Sequence, residues 1–222
     1  MHTEYRYVLN EADIDHSVRA IVVTGQGRSF CVGADSKALE GHVAKGGYDP
    51  GTPIDLIVPG QSAQEEFQAS FAYHFGLTKP VVAAINGPAA GVGLVLACFA
   101  DIRFAVPGIK FTTAHGKLNF PAEYGLSWLL PRMIGLPRAN DLLLTSRVFM
   151  SEEAHELGLV NRLCDPEALL RETYEYVQLM IETVSPASLR ETRWQVYRDL
   201  HRDVASAVVN SEELIDEMSR QK

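Results

Sequence analysis

The sequence predicts an α/β protein, with a sheet-bearing core over residues 1–137 and a helical region over 138–222. Three observations carry this. Val81-Val82-Ala83-Ala84-Ile85 is a short run of small and β-branched apolar residues closed by Asn86-Gly87-Pro88, and it reads as a fully buried strand. Arg19-Ala20-Ile21-Val22-Val23-Thr24-Gly25 is a second run of the same kind. Beyond Gly135-Leu136-Pro137 the apolar residues recur at helical spacing, and the remainder reads as helical.

Each element follows from local pattern. Residues 3–13 read as an amphipathic helix with Tyr5, Val8, Leu9 and Ala12 on one face and Thr3 as N-cap. After the first strand, Ser36 to Gly60 is a long glycine- and proline-rich segment, a type usually functional or disordered. Ser62-Ala63-Gln64-Glu65 is a capping box opening a helix whose inner face holds Phe67, Phe71, His74 and Phe75, with His74 read as a packed core histidine. Ala89 to Phe99 is small and apolar without a polar stripe, so it reads as a buried helix with Gly91 and Gly93 at its start. Glycine there lets another group approach the backbone. The first turn of a helix has free N–H groups and a positive dipole end, which suit a developing negative charge. Taken alone, the same residues also describe no more than a tightly packed strand–turn–helix.

Asp101 to Phe111 reads as one strand in which Ile102, Phe104 and Val106 alternate with more polar positions. His115 and Glu123 follow in a segment interrupted by glycine and proline. Asp165-Pro166-Glu167 predicts a helix start, with Leu169, Leu170, Tyr174 and Val177 facing inward. Ser185-Pro186 opens another helix, whose face is Trp194, Tyr197, His201, Val204 and Val208, and Ser211-Glu212-Glu213 starts a short terminal one.

Composition narrows the function. The 222 residues are 46% hydrophobic, enough for a sizeable core, and suit one domain or a core with an appended lobe. A net charge of −8 argues against nucleic acid as the main partner, while leaving an anionic ligand open because local charge matters more. Cys31, Cys98 and Cys164 are widely spaced and match no zinc pattern, so no metal is expected. They suit a reducing cytosol, which makes a cytoplasmic location the expectation. No signal-peptide pattern opens the sequence, no apolar run is long enough to span a bilayer, and no membrane partner is expected.

The first strand is followed by Gly27-Arg28-Ser29-Phe30-Cys31-Val32-Gly33-Ala34-Asp35, and the second by Asn86-Gly87-Pro88-Ala89-Ala90-Gly91-Val92-Gly93. In order and spacing the two stretches resemble the crotonase superfamily, the enoyl-CoA hydratase/isomerase family. Its usual pattern is a strand, then G-x-x-F-C-A-G-A-D, then V-x-A-x-x-G-x-A-x-G-G-G at a helix start. The likeness extends through Phe111 and Trp128-Leu129-Leu130-Pro131-Arg132 to Leu157-Gly158-Leu159-Val160. It implies a spiral of ββα units with a C-terminal helical lobe that builds homotrimers, often paired into hexamers. It further implies an acyl-CoA thioester as ligand, with coenzyme A part of the substrate and no separate cofactor. By the same resemblance Val32, Ala34, Asp35 and Ser36 line the nucleotide and pantetheine path, with Gly91 and Val92 at the thioester. Family members usually begin with about two further strands and end in a further helix, so the chain is expected to be shortened at both ends.

Reactions at the α-carbon of a thioester pass through an enolate, and backbone N–H donors can stabilise its oxygen. The resemblance puts these donors at Ala34 and Val92. The glutamate that family hydratases carry on the helix after the glycine motif is matched by Val95, which cannot transfer protons, and their second glutamate by His115. The acid of family isomerases is matched by Glu123, in Pro121-Ala122-Glu123-Tyr124-Gly125. One carboxylate in an apolar pocket has a raised pKa and suits proton shuttling between two carbons. Glu123 read alone is a solvated loop acid, and His115 read alone is a histidine bonded to backbone. The resemblance therefore implies isomerase-type proton transfer by Glu123. Two alternatives stand beside it: a hydratase or β-diketone-type carbon–carbon hydrolase using His115 with Glu123, and a non-catalytic or truncated family member.

Overall fold

The structure is a computed structural model and describes residues 1–33, 59 and 67–220. The capping box at Ser62–Glu65 and the long segment from Ser36 lie outside those residues, Pro59 excepted. The fold is mixed α/β with a helical C-terminal region, as the sequence predicts. Among the described residues four strands form the main sheet: β1 (Ile21–Thr24), β2 (Val81–Ile85), β4 (Ile102–Ala105) and β7 (Arg162–Leu163), in the order β1-β2-β4-β7 and all parallel. A smaller sheet joins β3 (Ala89–Ala90), β5 (Lys110–Thr112) and β6 (Phe149–Met150), with β3 parallel and β6 antiparallel to β5. All five residues of β2 are buried, as expected of a strand covered on both faces.

Between these strands run the helices. Helix α1 (His2–Ile14) precedes β1, α2 (Tyr73–Gly76) precedes β2, and α3 (Val92–Phe99) follows β3 with every residue buried. Next come α4 (Leu126–Ile134), α5 (Leu136–Thr145), α6 (Ser151–Glu156), α7 (Leu169–Thr183), α8 (Pro186–Arg198) and α9 (Val204–Arg220). The main core gathers the aromatic rings of Phe67, Phe71, Phe75 and Phe99 with β2, α3 and α4.

Several expectations are corrected. Met1, not Thr3, is the N-cap of α1, and Val8 is exposed while Leu9 is buried. Residues 101–111 are two strands rather than one, because Pro107 and Gly108, the latter at φ +74°, turn the chain between them. Residues 67–76 do not form one helix. Phe71, at φ 61°, breaks the path, leaving α2 only four residues long. Ala89 and Ala90 are strand, and the buried helix starts at Val92. The region beyond residue 137 is not purely helical, since β6 and β7 complete the two sheets. Two-residue strands are too short to show an alternating pattern.

The C-terminal helices also differ from expectation. On α7 the buried positions are Leu169, Thr173 and Val177, while Leu170 and Tyr174 are exposed. Ser185 caps α8, its Oγ accepting from the Ser188 N–H at 3.2 Å, with Pro186 at the first position as predicted. The helix stops at Arg198. Asp203 then caps α9, accepting from the N–H groups of Ala205 and Ser206, and α9 runs unbroken through Ser211. The predicted single face is thus split. Trp194 donates to the carbonyls of Gly76 and Leu77, and Tyr197 stacks on Phe75 at 3.8 Å, so both face the chain's own core. Val204 and Val208 lie on α9 and are exposed.

A buried ion pair holds α8 to the core. Arg193 contacts both carboxylate oxygens of Asp101 at 2.8 and 3.0 Å and donates to the carbonyls of His74, Phe75 and Leu77. Asp101 in turn accepts from Tyr197 Oη and the Val81 N–H. The guanidinium therefore satisfies carbonyls that the end of α2 leaves open.

Candidate active site

The start of α3 is built by two glycines with different jobs. Gly91 sits at φ 52°, ψ −120°, where a side chain is strained, although an added Cβ would meet nothing within 4 Å. Its N–H donates to the Thr112 carbonyl at 3.1 Å, tying the turn to the end of β5. At Gly93 the demand is space: a Cβ would lie 1.8 Å from the Cys31 carbonyl oxygen. Val92, between them, is the first residue of the helix. Its N–H is one of the first-turn donors without an intrahelical acceptor, at the positive end of the helix.

The segment after β1 lies against this turn. The Phe30 and Cys31 N–H groups donate to the Pro88 carbonyl at 3.2 and 3.3 Å, and the Ala90 N–H donates back to Cys31 at 2.9 Å. Gly33, at φ +98°, packs so that an added Cβ would be 3.4 Å from the Ala90 oxygen. Ala34, Asp35 and Ser36 lie outside the described residues. Val32 is 61% exposed.

His115 and Glu123 lie on the connection leaving β5. A tight turn with Ala114 at φ 61° leads into a 3-10 helix, His115–Leu118. The Gly116 N–H donates to Ser146 Oγ at 3.0 Å, and Thr113 Oγ1 also reaches Ser146. The His115 ring is buried, and its Nδ1 has no hydrogen-bond partner. Such an orphan polar atom in a buried position calls for a reason. Glu123 is half-buried, its carbonyl accepting from the Leu126 N–H at the start of α4. Burial pushes its carboxyl above the ordinary glutamate value, and the nearby His115 opposes that shift. The chain thus brings His115 and Glu123 within electrostatic reach of each other, and joins the Gly91 turn to Thr112, three residues before His115. Val95 is fully buried within α3.

Sequence reading placed Asn86 in the turn after β2 without a role for its side chain, and did not single out Thr112 or Ser146. Thr and Ser carry no pattern here, since their roles are contacts to backbone across long separations. Asn86 had one visible signal, a carboxamide directly after a buried strand and before Gly-Pro. Among the described residues no three His, Cys, Asp or Glu side chains gather so as to hold a metal ion. No described helix is long and apolar enough to cross a membrane.

Strands feeding glycine turns at the first turn of a buried helix define a crotonase-type fold, and comparison with known proteins agrees on that fold. The family model described as Enoyl-CoA hydratase/isomerase matches residues 1–221, and the chain belongs to that family. It is 38% identical over 176 residues to the probable enoyl-CoA hydratase echA12 of Mycobacterium leprae (strain TN), covering 79% of this chain and 58% of that protein. It is 34% identical over 169 residues to the 1,2-epoxyphenylacetyl-CoA isomerase of Escherichia coli (strain K12), covering 76% and 61%. The crystal structure of a probable enoyl-CoA hydratase/isomerase from Mycobacterium abscessus superposes with a TM-score of 0.82 at 26% identity, over 97% of this chain and 79% of that one. The chain spans about three fifths of the length of these two curated relatives.

Proposed function

We propose that the protein acts on an acyl-CoA thioester and moves a proton between two carbons of its acyl group, as an enoyl-CoA isomerase does, with Glu123 as the proton carrier. The observation that carries this reading is Glu123 itself, a half-buried carboxyl raised above its ordinary value beside His115. The Glu123 carboxylate removes a proton from C2 of a 3-enoyl-CoA, and the C–H electron pair delocalises into the thioester as an enolate. The enolate oxygen accepts from the backbone N–H of Val92 and from that of Ala34, with Gly91 beside the thioester and coenzyme A held along Val32, Ala34, Asp35 and Ser36. Returning the proton at C4 shifts the double bond to C2–C3 and restores the carboxylate. One base in reach of both carbons suffices, which is consistent with the absence of a titratable group at Val95.

The test is Glu123→Gln. General acid–base catalysis is worth roughly a hundred to ten thousandfold, and kcat falls by about that much while acyl-CoA binding persists. His115→Ala loses less. Full activity in Glu123→Gln, or complete loss in His115→Ala alone, defeats the reading. A second reading has its own support in the unpartnered His115 Nδ1: a hydratase or a β-diketone hydrolase in which His115 works with Glu123. Assembly as a homotrimer or hexamer in the cytoplasm, with residues 138–222 as the oligomerisation region, belongs to the same proposal.

A further inference from the structure

Asn86 ends β2 and takes no part in the chemistry proposed above, yet its carboxamide is nearly fully engaged. Oδ1 accepts from the Gly25 N–H at 3.0 Å, and Nδ2 donates to the carbonyls of Gly25 and Gly27, each at 3.0 Å. Both donor hydrogens and one acceptor site are thus committed to the loop after β1. That loop leads to Phe30–Gly33, and the strand that Asn86 ends leads through Pro88–Ala90 to Val92. The β1–β2 ladder stops at the Thr24–Ala84 pair, short of both. Past that point the two paths are held nearer Val92 by the backbone bonds of Phe30 and Cys31 to Pro88 and of Ala90 to Cys31, and at the loop's start by Asn86 and close backbone packing. A Cβ at Gly25 would lie 2.0 Å from the Ser29 oxygen, and one at Gly87 2.2 Å from the Arg28 oxygen. Glycine at both places lets the loops meet, but it supplies no directional bond; the carboxamide supplies three.

We propose that Asn86 is a positioning residue for the Val92 amide: its side chain locks the link leading to Val92 against the loop after β1, touching neither substrate nor reacting atoms. This rests on the reading of Val92 as a donor to the thioester oxygen. A donor displaced by about 1 Å costs on the order of a hundredfold in rate, so a residue outside the chemistry can carry a large kinetic effect.

The test compares a saturated acyl-CoA with its thioether counterpart, which lacks the carbonyl oxygen, by calorimetry on wild type, Asn86→Ala and Asn86→Asp, alongside kcat. Wild type binds the thioester more tightly than the thioether. Asn86→Ala narrows that gap and lowers kcat by roughly ten to a hundredfold, with thioether affinity unchanged. Asn86→Asp keeps the shape and the bond from Gly25 N–H but loses both donated bonds; it moves the same way, and it serves if the alanine variant does not fold. Thr24→Val removes a hydroxyl bonded to the Ala84 carbonyl between the same strands, and it leaves gap and kcat as in wild type. A wild-type gap that survives intact in both Asn86 variants overturns this proposal alone. Absence of any gap in wild type overturns the Val92 reading and this proposal with it.

Discussion

Glu123 and His74 are moved by the same force in opposite directions. Burial disfavours the charged form of each, raising the acid and lowering the base. If Glu123 is the base, kcat falls on acidification with its midpoint above the ordinary glutamate value, and a pH–rate profile on a 3-enoyl-CoA reads that midpoint. His74 is fully buried against the rings of Tyr5, Tyr73 and Phe99, with Arg193 nearby disfavouring its charge and Asp101 favouring it. Neither ring nitrogen meets hydrogen-bond geometry, and its pKa is pushed from 6.5 down to about 3. Between those values the unfolded chain binds more protons than the folded one. His74 therefore makes stability fall as the pH drops from 6.5 toward 3, by at most about 1.4 kcal/mol per pH unit. Urea midpoints between pH 4 and 7 should fall less steeply in His74→Phe than in wild type; parallel curves would show that His74 is protonated in the fold or contributes nothing.

Among the elements, the α3 turn and α8 make separate predictions. Val92→Pro removes one N–H at a helix position that accepts proline, so the protein folds and loses about 3 kcal/mol of transition-state stabilisation, roughly a hundredfold in kcat. Gly93→Ala instead forces a methyl onto the Cys31 carbonyl and is read as lost stability, by about 1–3 kcal/mol in denaturant unfolding. Arg193→Met leaves Asp101 buried without its cation, a change that typically costs about 3–5 kcal/mol. Melting unchanged from wild type would show that α8 is not held by this pair. The elements that carry these predictions were unequally legible. β2 and α3 were readable because burial on all sides leaves an uninterrupted apolar run. The break at Phe71 was not, since a left-handed phenylalanine is imposed by packing among Tyr73, Phe99 and Tyr124, with no turn residue to announce it. The α8 face was misread because Asp203, a cap, sits inside what looks like continuing helical spacing. Val92, His115 and Glu123 could be named from sequence only through resemblance; the approach of His115 to Glu123 has no local signature, and the Asn86 clamp left only the carboxamide between a buried strand and Gly-Pro.

At the scale of the whole molecule, the apolar side chains of Val204, Val208 and Ile215 on α9 are exposed and are the ones the proposed assembly would cover, whereas Trp194 and Tyr197 are used within the chain. Light scattering at micromolar concentration should give a mass about three or six times 24.5 kDa, and a clean monomer rules out assembly through α9 for this chain. The central claim, proton transfer without hydration, is tested most directly by the product. The purified 222-residue protein is incubated with a 3-enoyl-CoA and, separately, with a 2-enoyl-CoA, and both mixtures are resolved by mass spectrometry. The account predicts 2-enoyl-CoA from the first, of unchanged mass, and no 3-hydroxyacyl-CoA from either. A 3-hydroxyacyl-CoA formed rapidly from the 2-enoyl-CoA, with the 3-enoyl-CoA left unconverted, would contradict it.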